Sequence, residues 1–159
     1  MVAVAKPEAD VERVLATNRK ALFNYEVLER AEAGISLVGT EVKSIREGGL
    51  HFRDSYVLYR GGELILVGAR IGPYSHGNQM NHAEDRERRL LLHKREIEKL
   101  GGKATEKGLT LIPLRAYFKG GRVKVEIGLA RGKRAHDKRE TIKRKDIERE
   151  TQQALRERR

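Results

Sequence analysis

The sequence predicts a mainly β protein, a small antiparallel barrel or sandwich with short helices and a basic C-terminal tail. Three observations lead to this class. The chain has 159 residues, about the length of one domain. Short strand-like runs alternate with glycine-rich turns up to Gly132, and only two segments among them have a helical pattern. After Gly132 the strand pattern gives way to a charged stretch. Many short strands with few helices are typical of barrels and sandwiches.

The strand predictions depend on alternation of apolar and polar side chains. We predict strands at 22–31, 35–39, 54–60, 63–71, 109–119 and 122–131. In the clearest of them, apolar and charged side chains occupy opposite faces: Val123, Val125, Ile127 and Leu129 on one, and Arg122, Lys124 and Glu126 on the other. The turn Lys119-Gly120-Gly121 predicts a hairpin with strand 109–119. On that strand Pro113 indicates an edge or a bulge, and one predicted face carries Ile112, Leu114, Ala116 and Phe118.

Two short helices are expected between the strands. Thr40 is a candidate N-cap for a helix over 41–47, which Gly48-Gly49 would end. A second helix fits 93–100, with Gly101-Gly102 as its stop. Segment 1–17 is weakly patterned and predicted to be a leader, so we divide the chain into a leader (1–17), a barrel (18–132) and a tail (133–159).

The charge of the chain predicts an anionic partner. Lys and Arg number 34 against 23 Asp and Glu, a formal net charge of +11. Such an excess favours polyanions, of which nucleic acid is the commonest, although a solvated charged surface has a similar composition. A barrel of the oligonucleotide-binding type suits both the size of the chain and its basic strand face.

Several classes of protein are disfavoured by what the chain lacks. With no cysteine, it has no disulfide framework, thiolate metal site or cysteine nucleophile. The first 20 residues contain no continuous apolar stretch, and no apolar run is long enough to span a bilayer. We therefore expect a cytoplasmic protein that does not engage membranes.

No catalytic signature is visible. There is no G-x-S-x-G, and the glycines before Lys133 have the wrong spacing for a phosphate-binding loop. His76 and His82 with Asp85 are a weak hint of a metal site, because histidines in a polar loop are often exposed by chance. We expect no catalytic residue, no metal and no cofactor, and hence no enzyme.

A basic cluster at Arg86–Arg95 suggests a docking surface for folded RNA. It surrounds the three leucines at 90–92, for which a place in the core is the simpler interpretation, with one of the three able to point outward. Aromatic residues are only 5% of the chain, fewer than a generic single-strand binder displays. Recognition of RNA shape is therefore favoured over base stacking.

The tail has eleven basic and six acidic residues at 133–159 and good helix formers throughout. Isolated helices of this length are marginal without packing. We expect a tail that is disordered in solution and helical on a partner, with an ordinary frayed basic terminus as the alternative.

An ordered set of motifs over residues 17–150 closely resembles the small protein B family, the transfer-messenger RNA (tmRNA)-binding proteins of bacterial trans-translation. The motifs are Asn18-Arg19-Lys20-Ala21, Glu32-Ala33-Gly34, the segments 39–44, 54–56 and 90–97, 124–133 and Asp137-Lys138-Arg139-Glu140. The resemblance implies an oligonucleotide-binding-like barrel that binds the tRNA-like domain of tmRNA and delivers it to stalled ribosomes. It also implies a tail that probes the empty mRNA channel and the decoding centre on the small subunit.

The resemblance also implies site residues. The RNA-binding positions would be Arg19, Glu32, Glu41, Lys43, Leu91, His93, Lys94, Arg95 and Lys124. The ribosome-contacting positions of the tail would be Gly132, Lys133, Arg134, His136, Asp137, Lys138 and Arg139. The two glutamates need a separate account, because carboxylates repel phosphate; for Glu41, a role at the helix dipole is an equal alternative. Ile147 departs from the family, which often has an aromatic residue there, so anchoring at that position would be aliphatic.

Two rival functions remain open at this point. A generic rRNA-binding barrel protein would share the charge and fold but would have no preference for a tRNA-like elbow and no separable tail function. An RNA-processing enzyme would need a metal or acid–base cluster, and none is visible in the sequence.

Overall fold

The computed structural model describes residues 13–75, 81–133 and 135–157, without the side chains of 135–137 and 157. The strands are β1 (Arg13–Thr17), β2 (Tyr25–Ile35), β3 (Leu50–His51), β4 (Tyr56–Arg60), β5 (Glu63–Val67), β6 (Arg70–Ile71), β7 (Arg88–Leu91), β8 (Thr110–Lys119) and β9 (Arg122–Gly132). The helices are α1 (Arg19–Asn24), α2 (Gly39–Arg46), α3 (Lys94–Lys107) and α4 (Ala135–Glu157).

Six strands close into an antiparallel barrel. The order runs β8-β4-β5-β7-β2-β9, and β9 pairs again with β8. Strand β1 extends the sheet along β8, while β3 and β6 form a separate two-stranded sheet. The predicted fold class, a small barrel with short helices, is confirmed.

The predicted β8–β9 hairpin is confirmed in detail. Lys119 pairs with Arg122 across Gly120 and Gly121, whose φ angles of +60° and +74° suit glycine. The alternation of β9 also holds, because all four of its predicted inward residues are buried in the barrel core: Val123, Val125, Ile127 and Leu129.

Strand β8 changes the face that it buries at a bulge. Its register shifts between Pro113 and Arg115, as the proline indicated. Ile112 and Leu114 consequently pack with Ala21 of α1 in a second apolar cluster, whereas Ala116 lies in the barrel core, with Phe118 packed against it. The single apolar face predicted for this strand is therefore wrong, because a bulge moves the later residues to the other side.

Other boundaries also differ from the predictions. Residues 19–24 form α1, because Asn18 caps the helix by accepting the Ala21 N–H at 3.2 Å and donates to the Pro113 carbonyl at 2.8 Å. No separate strand covers 35–39, since β2 ends at Ile35 and α2 begins at Gly39. Part of the predicted leader, Arg13–Thr17, belongs to the sheet as β1; residues 1–12 lie outside the described part.

Helix α3 continues through the two glycines that were expected to end it. It stops instead at Gly108, whose φ of +61° gives the left-handed C-cap. A Cβ at Gly101 would lie 1.7 Å from Tyr59 Cδ2, while no described atom outside the local helix backbone lies within 4 Å of one at Gly102. Gly101 is therefore required by close packing against the Tyr59 ring and does not serve as a stop signal.

We expect Gly101→Ala and Gly102→Ala to change stability in opposite directions. The first forces the Tyr59 ring out of its place, at a cost of about 1–3 kcal/mol. The second relieves glycine's poor helix propensity and gains up to about 1 kcal/mol. Urea denaturation of the two variants beside the parent chain measures both effects, and equal midpoints would contradict the packing account.

The tail helix has little contact with the rest of the molecule. From Lys138 to Arg156, only Lys138 and Thr141 are half-buried, and the described apolar side chains beyond them, including Ile142, Ile147 and Leu155, are largely exposed. The predicted helical tendency is thus present without tertiary packing to stabilise it, so disorder in solution stays a prediction. No helix of the described residues is long and apolar enough to cross a membrane.

Candidate nucleic-acid interface

A groove of about 830 Å³ lies between β2, β9 and the start of α3. Four of the predicted RNA-binding residues line it: Glu32, Leu91, His93 and Lys124. Strand register brings them together, because Gly34 pairs with Lys124 on one side and with Leu91 on the other. A Cβ at Gly34 would lie 3.3 Å from Leu91 Cβ, so the glycine allows the neighbouring side chain to approach closely.

The three consecutive leucines divide between core and surface. Leu90 is buried in the barrel, Leu92 is half-buried against it, and Leu91 is 46% exposed. The expectation that one of the three points outward is confirmed. Leu91 therefore adds an exposed apolar surface to the lining of the groove.

Cations surround the groove. Arg30 and Lys99 line it together with Lys124, and Lys94 and Arg95 are exposed on the first turn of α3. One acid of the lining, Glu29, is neutralised by Lys103, whose Nζ donates to it at 2.7 Å. That bond lowers the pKa of Glu29 against the opposing effect of burial, so the local field favours an anionic ligand.

Glu32 stays ionised within this basic setting. Its Oε2 accepts from the Tyr117 hydroxyl and, at 3.3 Å, from Lys119 Nζ. The Tyr117 bond is the main reason that the pKa of Glu32 lies below its ordinary value, although burial opposes it. The groove therefore offers a hydrogen-bond acceptor beside its cations.

Lys43 lines a second cavity, of about 540 Å³, at the start of α2. Thr40, His82 and Arg86 share this cavity, and the Lys43 ammonium lies 5.5 Å from the centre of the Tyr74 ring. Thr40 is inside the helix and Val38 is the N-cap, so the predicted cap is wrong. Thr40 Oγ1 instead contacts His82 Nδ1 at 2.9 Å.

Both ring nitrogens of His82 make hydrogen bonds within the protein. Its Nε2 lies 2.9 Å from the Ile71 carbonyl and 3.1 Å from that of Gly72, which assigns the ring proton to this nitrogen. With both nitrogens engaged, the ring has no position for a metal ion. The residues that the structure describes contain no group of three His, Asp or Glu side chains placed to hold a metal, and His76 lies outside them.

Glu41 has no exposed surface and therefore cannot touch RNA directly in this structure. Its Oε1 accepts from the Val38 N–H at 3.0 Å and from Arg86, and its Oε2 accepts from Arg88 Nε at 2.7 Å. The predicted contact is corrected: Glu41 joins the start of α2 to β7 and holds the Arg86 guanidinium beside the second cavity. The dipole alternative also applies, because the carboxylate caps the first turn.

Arg88, in the middle of the predicted basic cluster, is also fully buried. Its guanidinium donates to Glu41 and to the carbonyls of Ala69, Ala83 and Glu84 at 3.0–3.3 Å. Burial lowers the pKa of Arg88 against the effect of Glu41. Burial also raises the pKa of Glu41, but its bonds from Arg86, Val38 and Arg88 outweigh this and leave it below the ordinary value.

The family model described as "SmpB protein" matches residues 15–157. This chain belongs to the SmpB family.

Relatives with known names support this assignment. The SsrA-binding protein of Carboxydothermus hydrogenoformans is 53% identical over 93% of this chain and 99% of its own length. That of Geobacter metallireducens is 54% identical over 92% and 96%. A solved chain described as "tmRNA-SmpB: a journey to the center of the bacterial ribosome" is 49% identical, with a TM-score of 0.65 over 77% of this chain and 87% of its own.

The remaining site residues predicted for this SmpB-family chain are more dispersed. Arg19 is exposed on α1 beside Lys20, which pairs with Asp54, and it lines neither cavity. The structure therefore does not bring Arg19 together with the groove residues.

The tail residues begin at the end of the barrel. Gly132 is the last residue of β9 and pairs with Tyr25, and Lys133 donates from its Nζ to Thr141 Oγ1 at 2.9 Å. Lys138 lies 6.0 Å from the centre of the Phe23 ring, and Arg139 is exposed. Arg134 and the side chains of His136 and Asp137 lie outside the described part.

Several groove residues were not among the predicted site residues. Arg30 and Lys99 line the groove, and Tyr117 lies behind it, bonded to Glu32. Tyr117 had a usable signal, since it alternates with the charged Arg115 and Lys119 on β8. The alternation already placed Tyr117 opposite Ala116 and Phe118, but it could not show that this ring is buried, since burial depends on neighbouring strands.

Proposed function

We propose that this chain is the RNA-binding adaptor of trans-translation. It binds the tRNA-like domain of tmRNA, delivers it to stalled ribosomes and places its tail in the empty mRNA channel near the decoding centre. It acts in the cytoplasm as a binding protein, without catalysis or a cofactor. The observation that carries the proposal is the groove in which Glu32, Leu91, His93 and Lys124 meet from distant parts of the sequence.

The chemistry of the groove suits folded RNA. Lys124, Arg30 and Lys99 supply charge for phosphates, and His93 and Leu91 offer surfaces to a base or ribose. Lys94 and Arg95 extend the basic surface along the start of α3. A barrel with such a groove on its side and few exposed aromatic rings fits RNA of defined shape better than an extended single strand.

Competition binding at fixed, near-physiological salt tests this function. The labelled ligand is the tRNA-like domain of tmRNA, and the competitors are an elongator tRNA and a plain RNA duplex. We expect the unlabelled tRNA-like domain to compete far better than either. Equal competition by all three would leave only a general RNA-binding surface and would refute the adaptor function.

We expect Lys124→Ala and Arg95→Ala to weaken binding of the tRNA-like domain by about 5- to 10-fold each and to lower the salt slope by about one. The physical reason is the loss of one phosphate contact with its released counterion. Fluorescence anisotropy over a series of salt concentrations measures both quantities.

Arg60→Ala is the matched control for these variants. Arg60 is an exposed arginine that pairs with Glu87 at 2.8 Å and lines neither cavity. It should leave affinity and salt slope close to those of the parent chain. Parent-like affinity of both Lys124→Ala and Arg95→Ala would contradict the site assignment.

A further inference from the structure

Tyr117 is a tyrosine held between charged groups. Although it alternates with Arg115 and Lys119 on β8, only 2% of it is exposed. The Arg115 guanidinium lies 4.6 Å from the centre of its ring, and its hydroxyl donates to Glu32 Oε2. A tyrosine side chain has only two rotatable χ angles. Because Arg115 covers one face of this ring and its hydroxyl is hydrogen-bonded, the hydroxyl is held in one position.

Among the described residues, hydrogen-bond donors approach only one of the two carboxylate oxygens of Glu32. The Tyr117 hydroxyl and Lys119 Nζ both approach Oε2. No donor lies on Oε1 among the residues 13–75, 81–133 and 135–157, and the Glu32 side chain is 37% exposed in the groove. A fixed carboxylate with one free oxygen accepts hydrogen bonds and repels phosphate.

Glu126, the neighbour of Glu32 on the next strand, uses both of its carboxylate oxygens in ion pairs. Glu126 pairs directly with Glu32 across β2 and β9, but its Oε1 accepts from Arg30 at 2.7 Å and its Oε2 from Arg115 at 3.3 Å. Its side chain is only 16% exposed. Glu126 is thus committed to ion pairs within the sheet, whereas Glu32 presents an oxygen to the groove.

We propose that Tyr117 is a positioning residue that holds Glu32 so that its free oxygen accepts a hydrogen bond from an N–H or O–H donor of the bound RNA. The donor is a base amino or imino group or a ribose 2′-hydroxyl, since these are the donors that RNA offers. This inference rests on the proposed function. In it, Glu32 recognises a hydrogen-bond donor of the RNA, while the surrounding cations bind phosphate. Tyr117 itself does not touch the RNA.

The first test uses the free protein. Carboxyl carbon NMR of Glu32 is followed over a pH titration in the parent chain, in Tyr117→Phe and in Tyr56→Phe. We expect the pKa of Glu32 to rise in Tyr117→Phe and to stay unchanged in Tyr56→Phe, which removes a hydroxyl from a tyrosine on β4, a strand that does not pair with β2 or β9. An unchanged pKa in Tyr117→Phe would overturn the positioning role.

The second test is a double-mutant cycle on affinity for the tRNA-like domain. Glu32→Ala should weaken binding about 10- to 100-fold, as expected for a lost hydrogen bond to a charged group, and Tyr117→Phe by about fivefold. The double variant should bind no more weakly than Glu32→Ala alone, because Tyr117 acts through Glu32. Additive losses, or parent-like binding by Tyr117→Phe, would overturn the proposal.

The third test identifies the donor. The same binding assay is repeated with modified tRNA-like domains. One set carries 2′-deoxy substitutions, and the other carries inosine in place of guanosine, which removes an amino group. A substitution that weakens binding to the parent chain but not to Glu32→Ala identifies the RNA group that donates to Glu32. If every substitution affects both proteins equally, Glu32 accepts from none of these groups and the proposal is overturned. These outcomes are separate from failure of the proposed function, which the parent chain alone would show by having no preference for the tRNA-like domain.

Discussion

Glu41→Gln is expected to lower the free energy of unfolding by about 3–5 kcal/mol, because it leaves the Arg88 guanidinium charged and buried without its partner. Both side chains have no exposed surface, and Glu41 Oε2 is 2.7 Å from Arg88 Nε. The same substitution frees the Arg86 guanidinium from the start of α2. Denaturant unfolding followed by circular dichroism measures the loss.

Two further variants give this prediction its controls. Glu87→Gln removes a carboxylate whose pair with Arg60 is half exposed on both sides, and it should cost less than about 1 kcal/mol. Glu41→Gln combined with Arg88→Met removes both buried charges and should recover much of the loss. If Glu41→Gln unfolded like the parent chain and yet bound RNA poorly, Glu41 would be a direct contact and the structural account would be wrong.

The pH dependence of stability follows from the same pair. The pKa of Glu41 is lower in the folded chain than its ordinary value of 4.5, because the hydrogen bonds it accepts outweigh the effect of burial. A group with a lowered pKa contributes stability that is fully present above the unfolded value and is lost as pH falls through the folded value. Glu41→Gln should therefore show a shallower loss of stability below about pH 4.5 than the parent chain.

Truncation after Lys133 is expected to abolish peptide tagging on stalled ribosomes while leaving binding of the tRNA-like domain within about twofold of the parent chain. The truncated chain keeps the whole β2–β9 ladder and the bond from the Lys133 N–H to the Asn24 carbonyl at 2.8 Å. It loses α4, whose described residues contribute nothing to the lining of the groove. A reconstituted tagging reaction on ribosomes stalled on an mRNA without a stop codon measures the activity.

The truncated protein must first be shown to fold and bind. Its unfolding midpoint should be close to that of the parent chain, because the described side chains from Ile142 to Arg156 are all exposed and add no packing. Added in excess, it should compete with the full-length chain for the tRNA-like domain and so inhibit tagging. Tagging supported by the truncated chain alone would refute the role of the tail.

The sequence predicted those elements whose pattern is local. The β8–β9 hairpin was recognisable because paired glycines and strict alternation are properties of a short window, and the structure confirms both. Lys124 was placed on the outward face for the same reason. The resemblance supplied the groove residues Glu32, Leu91 and His93, which no local pattern would have joined.

What the sequence could not decide depended on contacts between distant residues. The sequence around Gly101 has the pattern of a helix stop, yet α3 continues through it. The Tyr59 ring packs where a Cβ at this position would lie. Glu41 and Arg88 are residue types that usually lie on the surface, yet both are buried as an ion pair. The desolvation cost of burying each charge is offset by the opposite charge beside it, and this depends on contacts between distant parts of the chain.

The sequence by itself therefore determined the class of fold, the basic character of the chain, the family and four of the twelve residues that line the groove. The tertiary structure alone decided which charges face solvent and which stabilise the interior. It also revealed Tyr117 behind Glu32, since β9 pairs with both β8 and β2 and so brings these two strands close together. The physical reason is that charge and periodicity are properties of the chain, whereas burial and hydrogen-bond partners are properties of its packing.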